Sequence, residues 1–226
     1  MKGVAVVRKV VLAATLVLLL SSCVPATNPW LPAELKTAAD PRLVGNWRLK
    51  KGSLDLNTFD KQLRGNWKMD IQSPFDLRLK LNDDKSLSIH LEFDGIDATT
   101  GAKSKPVDIP SFLVRVGDAD LLDLPGTEPA PHNCARLIVS GPDEFKLVFS
   151  NILFWEDAIK AGTIKGSLSV PTKEGVSKGE PTQITDTTAN IFALLSSTPA
   201  EKIFNGITFT FERIKTTEPK PAPQNP

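Results

Sequence analysis

Phe75-Asp76-Leu77-Arg78-Leu79-Lys80-Leu81-Asn82-Asp83-Asp84-Lys85-Ser86-Leu87-Ser88-Ile89-His90-Leu91-Glu92-Phe93 is the stretch that decides the fold class. Phe75, Leu77, Leu79 and Leu81 alternate with Asp76, Arg78 and Lys80, and Leu87, Ile89, Leu91 and Phe93 alternate with Ser88, His90 and Glu92. A period of two puts the apolar side chains on one face and the charged ones on the other, the pattern of a half-buried strand. Asn82-Asp83-Asp84 supplies turn chemistry between the two strands. A three-residue loop would pair Leu79 with Leu87 and Leu77 with Ile89, setting Asp76 opposite His90. A five-residue loop would set Asp76 opposite Glu92, a like-charge pair, so the shorter loop is expected.

The same rhythm extends outward in both directions. Phe112 to Val116 and Leu121 to Leu124 flank Gly117-Asp118-Ala119-Asp120, and Arg136 to Val139 and Phe145 to Phe149 flank Gly141-Pro142-Asp143. Thr163 to Val170 and Ile207 to Ile214 read as two further strands. Phe154 to Ala161 reads as one or two helical turns. Ile184 to Leu195 reads as a helix with Thr185 or Asp186 capping its first amides, and Pro199 limits its extension. Together these segments predict a mainly β protein: a meandering antiparallel barrel or strongly curved sheet of about nine or ten strands with one or two short helices. Phe75, Leu77, Ile89, Leu91, Phe145 and Leu147 are expected to point inward.

The chain ends set the domain limits. Lys2, Arg8 and Lys9 precede an uncharged run from Val10 to Leu20, shorter than the about 20 residues that span a bilayer as a helix and suited to an export signal. Leu20-Ser21-Ser22-Cys23 then resembles the lipobox of bacterial lipoproteins, in which the cysteine thiol receives diacylglycerol. The resemblance implies a signal peptide over residues 1–22 and a mature chain that begins at acylated Cys23. It also implies a lipid anchor, with more than one acyl chain giving stable attachment. Val24 stands where many Gram-negative lipoproteins retained at the inner membrane carry Asp. The implied location is the cell envelope, at the outer membrane and facing the periplasm. Residues 23–39 carry Pro25, Pro29 and Pro32 and are expected to form a flexible tether. Residues 40–215 form the β domain, and the proline-rich residues 216–226 a disordered tail.

Of the 226 residues, 41% are hydrophobic and 23% charged, close enough to globular norms to exclude wholesale disorder. A net charge of +1, which turns slightly negative once the signal is lost, argues against a nucleic-acid partner. If Cys23 is acylated, Cys134 has no intramolecular partner and is expected as a small buried core residue. Both histidines have plain structural roles open to them: His90 on a charged strand face, His132 beside Cys134 in a His-X-Cys pair. The latter would offer two metal ligands where a structural zinc needs four. Asp83-Asp84, Asp118-Asp120 and Glu156-Asp157 lie in turns or at a helix end, and no nucleophile elbow, P-loop or dinucleotide fingerprint is present. The expectation is therefore a protein without catalytic, cofactor or metal residues.

Leu43-Val44-Gly45-Asn46-Trp47 resembles the Gly-X-Trp motif at the first strand of lipocalins and related calycin barrels. In that family the tryptophan closes one end of the barrel and a basic residue of the last strand packs over it. The resemblance assigns these closure roles to Trp47 and Arg213, with Trp67 of the repeated Gly65-Asn66-Trp67 as the alternative. Leu113-Val114-Arg115-Val116-Gly117-Asp118 and Leu121-Leu122-Asp123-Leu124 are similar to the middle hairpin of lipocalin-like bacterial lipoproteins of unassigned activity. Two functions follow. One is a tethered barrel that binds an apolar or amphipathic small molecule. The other is a solid-packed scaffold that docks an envelope protein, with Ile152 to Trp155 as its candidate patch.

Overall fold

The computed structural model describes residues 24–50, 76–92, 106–125, 132–168 and 182–215. Within these, eight antiparallel strands close into a barrel in the order β1 (Gly45–Leu49), β10 (Thr208–Arg213), β7 (Glu144–Phe149), β6 (Asn133–Val139), β5 (Ala119–Leu124), β4 (Val107–Val116), β3 (Leu87–Glu92) and β2 (Asp76–Leu81). Between β7 and β10 lie helix α1 (Ile152–Lys160), a separate two-stranded ribbon of β8 (Gly166–Ser167) and β9 (Gln183–Ile184), and helices α2 (Thr188–Ser197) and α3 (Ala200–Ile203). Over the described residues the protein is thus mainly β, a closed meander with three short α-helices.

Followed once around the barrel, the pairing returns to β1 displaced by about twelve residues, a stagger that tilts the strands by roughly 45° and widens the interior. The two ends are unlike. At the base, β2 joins β3, β4 joins β5 and β6 joins β7 through short turns. At the other end, here called the mouth, the connections of residues 50–75, 93–106, 125–132 and 150–207 leave the strands.

The first hairpin departs from expectation. Asp76 stands opposite Glu92, Leu77 opposite Leu91 and Leu79 opposite Ile89, which is the five-residue register. Asp76 is held by Arg48 of β1, whose Nε and Nη2 donate at 2.7 and 2.8 Å to its two carboxyl oxygens. That neighbour on the other side removes the reason for avoiding the register. The loop adds its own bonds: Asn82 N–H donates to Ser86 O at 2.9 Å, and Asp84 accepts from Ser86 N–H at 3.0 Å. The ion pair to Arg48 and the bonds within the loop oppose the like-charge repulsion that this register brings. His90 is paired with Asp108 of β4, its Nδ1 lying 2.8 Å from Oδ1.

Three other expectations change. Strand β4 begins at Val107 and contains Pro110, which pairs with Ser88 on β3 while β5 starts to pair only at Phe112. Its missing N–H therefore faces no partner strand, the position at which a sheet tolerates proline. Of the segment expected as a strand over Thr163 to Val170, whose residues 169–170 lie outside the described ones, Gly166–Ser167 pairs with Gln183–Ile184 outside the barrel. The capping hydroxyl of α2 is that of Thr187, which accepts from Asn190 N–H at 3.3 Å, not that of Thr185. Asp186 instead receives the Lys165 and Thr187 amides and the Asn190 side chain. Burial would raise its carboxyl, but these donors outweigh burial and hold it below the usual range.

The largest correction concerns residues 24–39. Val24, Ala26, Trp30 and Leu31 are fully buried, so this part of the expected tether is a packed component of the fold. It crosses the outside of β4, β5, β6 and β7, where Val114, Leu121, Cys134 and Val148 face away from the barrel interior. Together with Trp155 of α1 and Ile191 and Leu195 of α2 it forms a second apolar cluster, separate from the one inside the barrel. An uncovered apolar wall of this size would be a sticky surface, and the N-terminal segment removes it from water. Residues 1–23, including Cys23, and 216–226 lie outside the described residues, as do Trp67, Phe75 and Phe93.

Candidate functional site

At the base, Gly45 has φ +143° and a Cβ there would lie 2.5 Å from Arg213 Nη1. Glycine is needed for both reasons, backbone conformation and space. Through that gap the guanidinium reaches the indole of Trp47, with Cζ 4.2 Å from the ring centroid. Arg213 also donates from Nε to Pro142 O at 2.9 Å, from Nη1 to Val44 O at 3.0 Å and from Nη2 to Arg42 O. Trp47 is 1% exposed, donates from Nε1 to Leu43 O at 2.8 Å and meets the Phe145 ring edge-on at 4.7 Å. The structure therefore brings Trp47 and Arg213 together, and with them the first strand, the last strand and the β6–β7 turn.

Above this floor lies a cavity of about 70 Å³. Among the described residues, those lining it are all Leu, Ile or Phe, and the wall includes the expected inward residues Leu77, Ile89, Leu91, Phe145 and Leu147. Such a wall offers water no hydrogen-bond partner, so the space suits hydrocarbon and not a polar molecule. Leu91, Leu124 and Phe149 carry the apolar lining up to the mouth ends of β3, β5 and β7.

A second arrangement lies outside the barrel. Asp123 is completely buried on the outer face of β5, where its Oδ2 accepts from the backbone N–H of Trp30 at 2.9 Å and of Leu31 at 3.2 Å. His132 Nδ1 lies 3.0 Å from Oδ1 of the same carboxyl group. The backbone of His132 pairs with Ala26, and its carbonyl also accepts from Trp30 Nε1 at 3.0 Å. Asp123 and His132 thus latch the N-terminal segment onto the barrel. Asp123 was not singled out by sequence reasoning, although a carboxyl residue between Leu122 and Leu124 is the available signal. It interrupts a strand whose two faces are both buried.

Cys134, directly across from Asp123, is 1% exposed. Burial, with the nearby Asp123 adding to it, pushes its thiol well above the ordinary range, which leaves it protonated and unreactive. Native protein should therefore resist a thiol reagent at Cys134 and react only on unfolding in guanidinium. Rapid stoichiometric modification of the folded domain would contradict this. Among the described residues no group of three His, Cys, Asp or Glu is placed to hold a metal ion. Trp155 is fully buried against Trp30, with ring centroids 4.8 Å apart. Of the suggested docking patch, Leu153 alone is a large exposed apolar residue, at 40%.

No protein-family model, curated protein or solved structure matches this chain.

Proposed function

We propose that this chain is a lipid-anchored, lipocalin-like lipoprotein of the bacterial envelope that binds the hydrocarbon part of an amphipathic small molecule. Acylated Cys23 supplies the anchor, and the location is the periplasmic face of the outer membrane. The observation that carries the reading is the cavity whose described lining is Leu, Ile and Phe and whose floor is Trp47 and Arg213. Its size defines the ligand class. At about 70 Å³ it falls far below the roughly 300–1,000 Å³ of pockets that engulf a whole small molecule. It fits the end of an acyl chain, whose polar head stays outside. Nothing in this function needs a nucleophile, general base or cofactor, and we assign the protein to binding and not to catalysis.

Two experiments test this. Cys23→Ser is expected to abolish acylation and move the protein from the membrane to the soluble fraction with the barrel still folded. Unchanged membrane association of the serine variant contradicts the anchor. Gentle extraction from the native membrane, followed by mass spectrometry against an unrelated lipoprotein, is expected to recover a recurrent acyl-containing species in stoichiometric amount. The second reading, a solid-packed scaffold for an envelope protein, is favoured by the smallness of the same cavity. It replaces the first if no such species appears and cross-linking recovers a single envelope protein.

A further inference from the structure

The turn between β4 and β5 and the end of α2 enclose a second space, outside the barrel at its base. Val116 pairs with Ala119, so Gly117 and Asp118 alone make the turn. Gly117 stands at φ +59°, the left-handed conformation that a two-residue loop needs at its first position. α2 stops at Ser197, because Pro199 follows and holds Thr198 extended at φ −118° and ψ 132°. The chain then turns away into α3 and Phe204. Between these ends lies a groove of about 290 Å³, against about 70 Å³ inside the barrel. A Cβ added at Gly117, one of the lining residues, would meet no atom within 4 Å, so the turn leaves the space open.

Floor and rim differ in character. Leu121 of β5, Leu195 of α2 and Phe204 are all buried and belong to the outer apolar cluster, so the floor is hydrocarbon. The rim carries Asp118, Ser196 and Ser197. Asp118 is exposed, and its carboxylate has no hydrogen bond or ion pair among the described residues. The neighbouring cation, Arg115, is held at 2.6 Å by Asp120. On α3, Glu201 and Lys202 are both exposed and of opposite sign. The end of α2 adds to the negative side: its last turn contains no basic residue, and a helix C-terminus carries partial negative charge on carbonyls that lack intrahelical donors. Ser197 Oγ donates to one of these, Leu194 O, at 3.2 Å. Among the described lining residues Asp118 is thus the one formal charge, beside a helix end of the same sign.

We infer that this groove binds a small organic cation, an ammonium group on a short hydrocarbon stem, with the head at Asp118 and the carbonyl end of α2 and the stem on Leu121, Leu195 and Phe204. An anion would meet Asp118 and the helix end with no cation in the described lining to offset them. A neutral apolar molecule would forgo the attraction of both. The volume sits at the lower edge of the roughly 300–1,000 Å³ of small-molecule sites, which suits a compact ligand. The groove shares no lining residue with the cavity inside the barrel, so the inference stands independently of acyl binding there. A free amine and the lysine side chain of another protein present the same chemistry to it.

The test titrates pentylammonium into the isotope-labelled full chain at low ionic strength and follows the backbone amide signals by NMR. Saturable shifts confined to residues 116–121 and 195–204 are expected. Pentan-1-ol and pentanoate have the same stem and should bind at least about fivefold more weakly, and Asp118→Asn should weaken pentylammonium by about fivefold, the upper range for one exposed ion pair. Added salt should weaken the cation and leave the alcohol unchanged. Asp118 is exposed in a turn, so an unchanged unfolding midpoint in the asparagine variant separates loss of binding from loss of fold, and Asp118→Glu should retain most of the affinity. N-acetyl-lysine N-methylamide distinguishes the sources: tighter binding than pentylammonium assigns the site to a partner's lysine, and binding no tighter assigns it to a free amine. The site is overturned by the absence of saturable shifts in these two stretches, by pentan-1-ol binding as tightly as the amine, or by unchanged affinity in Asp118→Asn.

Discussion

Replacing Trp47 by alanine will destabilise the domain by about 3–5 kcal/mol, the cost of removing a large buried aromatic side chain. The indole touches Phe145 and Arg213 and ties its own strand to the carbonyl of Leu43. Arg213→Ala will cost about 1–3 kcal/mol through loss of the bonds to Pro142, Val44 and Arg42. The double variant will lose less than the sum by about 1–2 kcal/mol, because each single change already forfeits the contact between guanidinium and ring. Arg213→Lys keeps the charge but lacks the planar fork that serves several carbonyls, and should recover less than half the loss. Gly45→Ala should destabilise the base by a different route, since its side chain would collide with Arg213 on a backbone strained for any other residue. Urea titrations read all of these as shifts in midpoint at constant slope. Strictly additive losses for Trp47 and Arg213 would show that the two do not stabilise the base together.

The second large effect is expected outside the barrel. Asp123→Ala will destabilise the protein by about 2–4 kcal/mol, because it leaves the buried amides of Trp30 and Leu31 without an acceptor. Asp123→Asn keeps one acceptor oxygen and should lose about half as much. The damage is directional. The N-terminal segment should become susceptible to limited proteolysis ahead of the barrel, with Lys36 as the first tryptic site, because local opening follows the loss of local contacts. A variant that unfolds in one step with no early cleavage would show that the segment is held by its apolar contacts alone.

Much of the barrel can be read from the chain without its structure. Alternation in residues 76–92 identifies two strands and their inward faces, since a strand buried on one side must repeat its apolar residues with period two. Turn residues placed the later hairpins to within a few positions. The pairing register of the first hairpin was not legible from the hairpin alone. It depended on Arg48, which lies 28 residues before Asp76 and across a different strand pair. The Gly-X-Trp motif pointed to Trp47 and Arg213, but the reason for its glycine became visible only when Arg213 was found to occupy the space of a side chain at Gly45.

The N-terminal segment marks the division most clearly. Pro25, Pro29 and Pro32 and the lack of periodicity describe its local backbone correctly, for it is neither helix nor barrel strand over residues 24–32. That local description says nothing of burial. What holds the segment is the outer face of β5 and β6, where Leu121, Cys134 and Asp123 come together only after distant strands have closed into a barrel. The sequence by itself determined which stretches alternate, where the chain turns and that β structure prevails, because those properties depend on neighbours a few residues apart. Tertiary structure alone decided the register of the first hairpin, the second apolar layer and the latch at Asp123. Each of these is an interaction between segments far apart in the chain, and its energy exists only when the fold has brought them into contact.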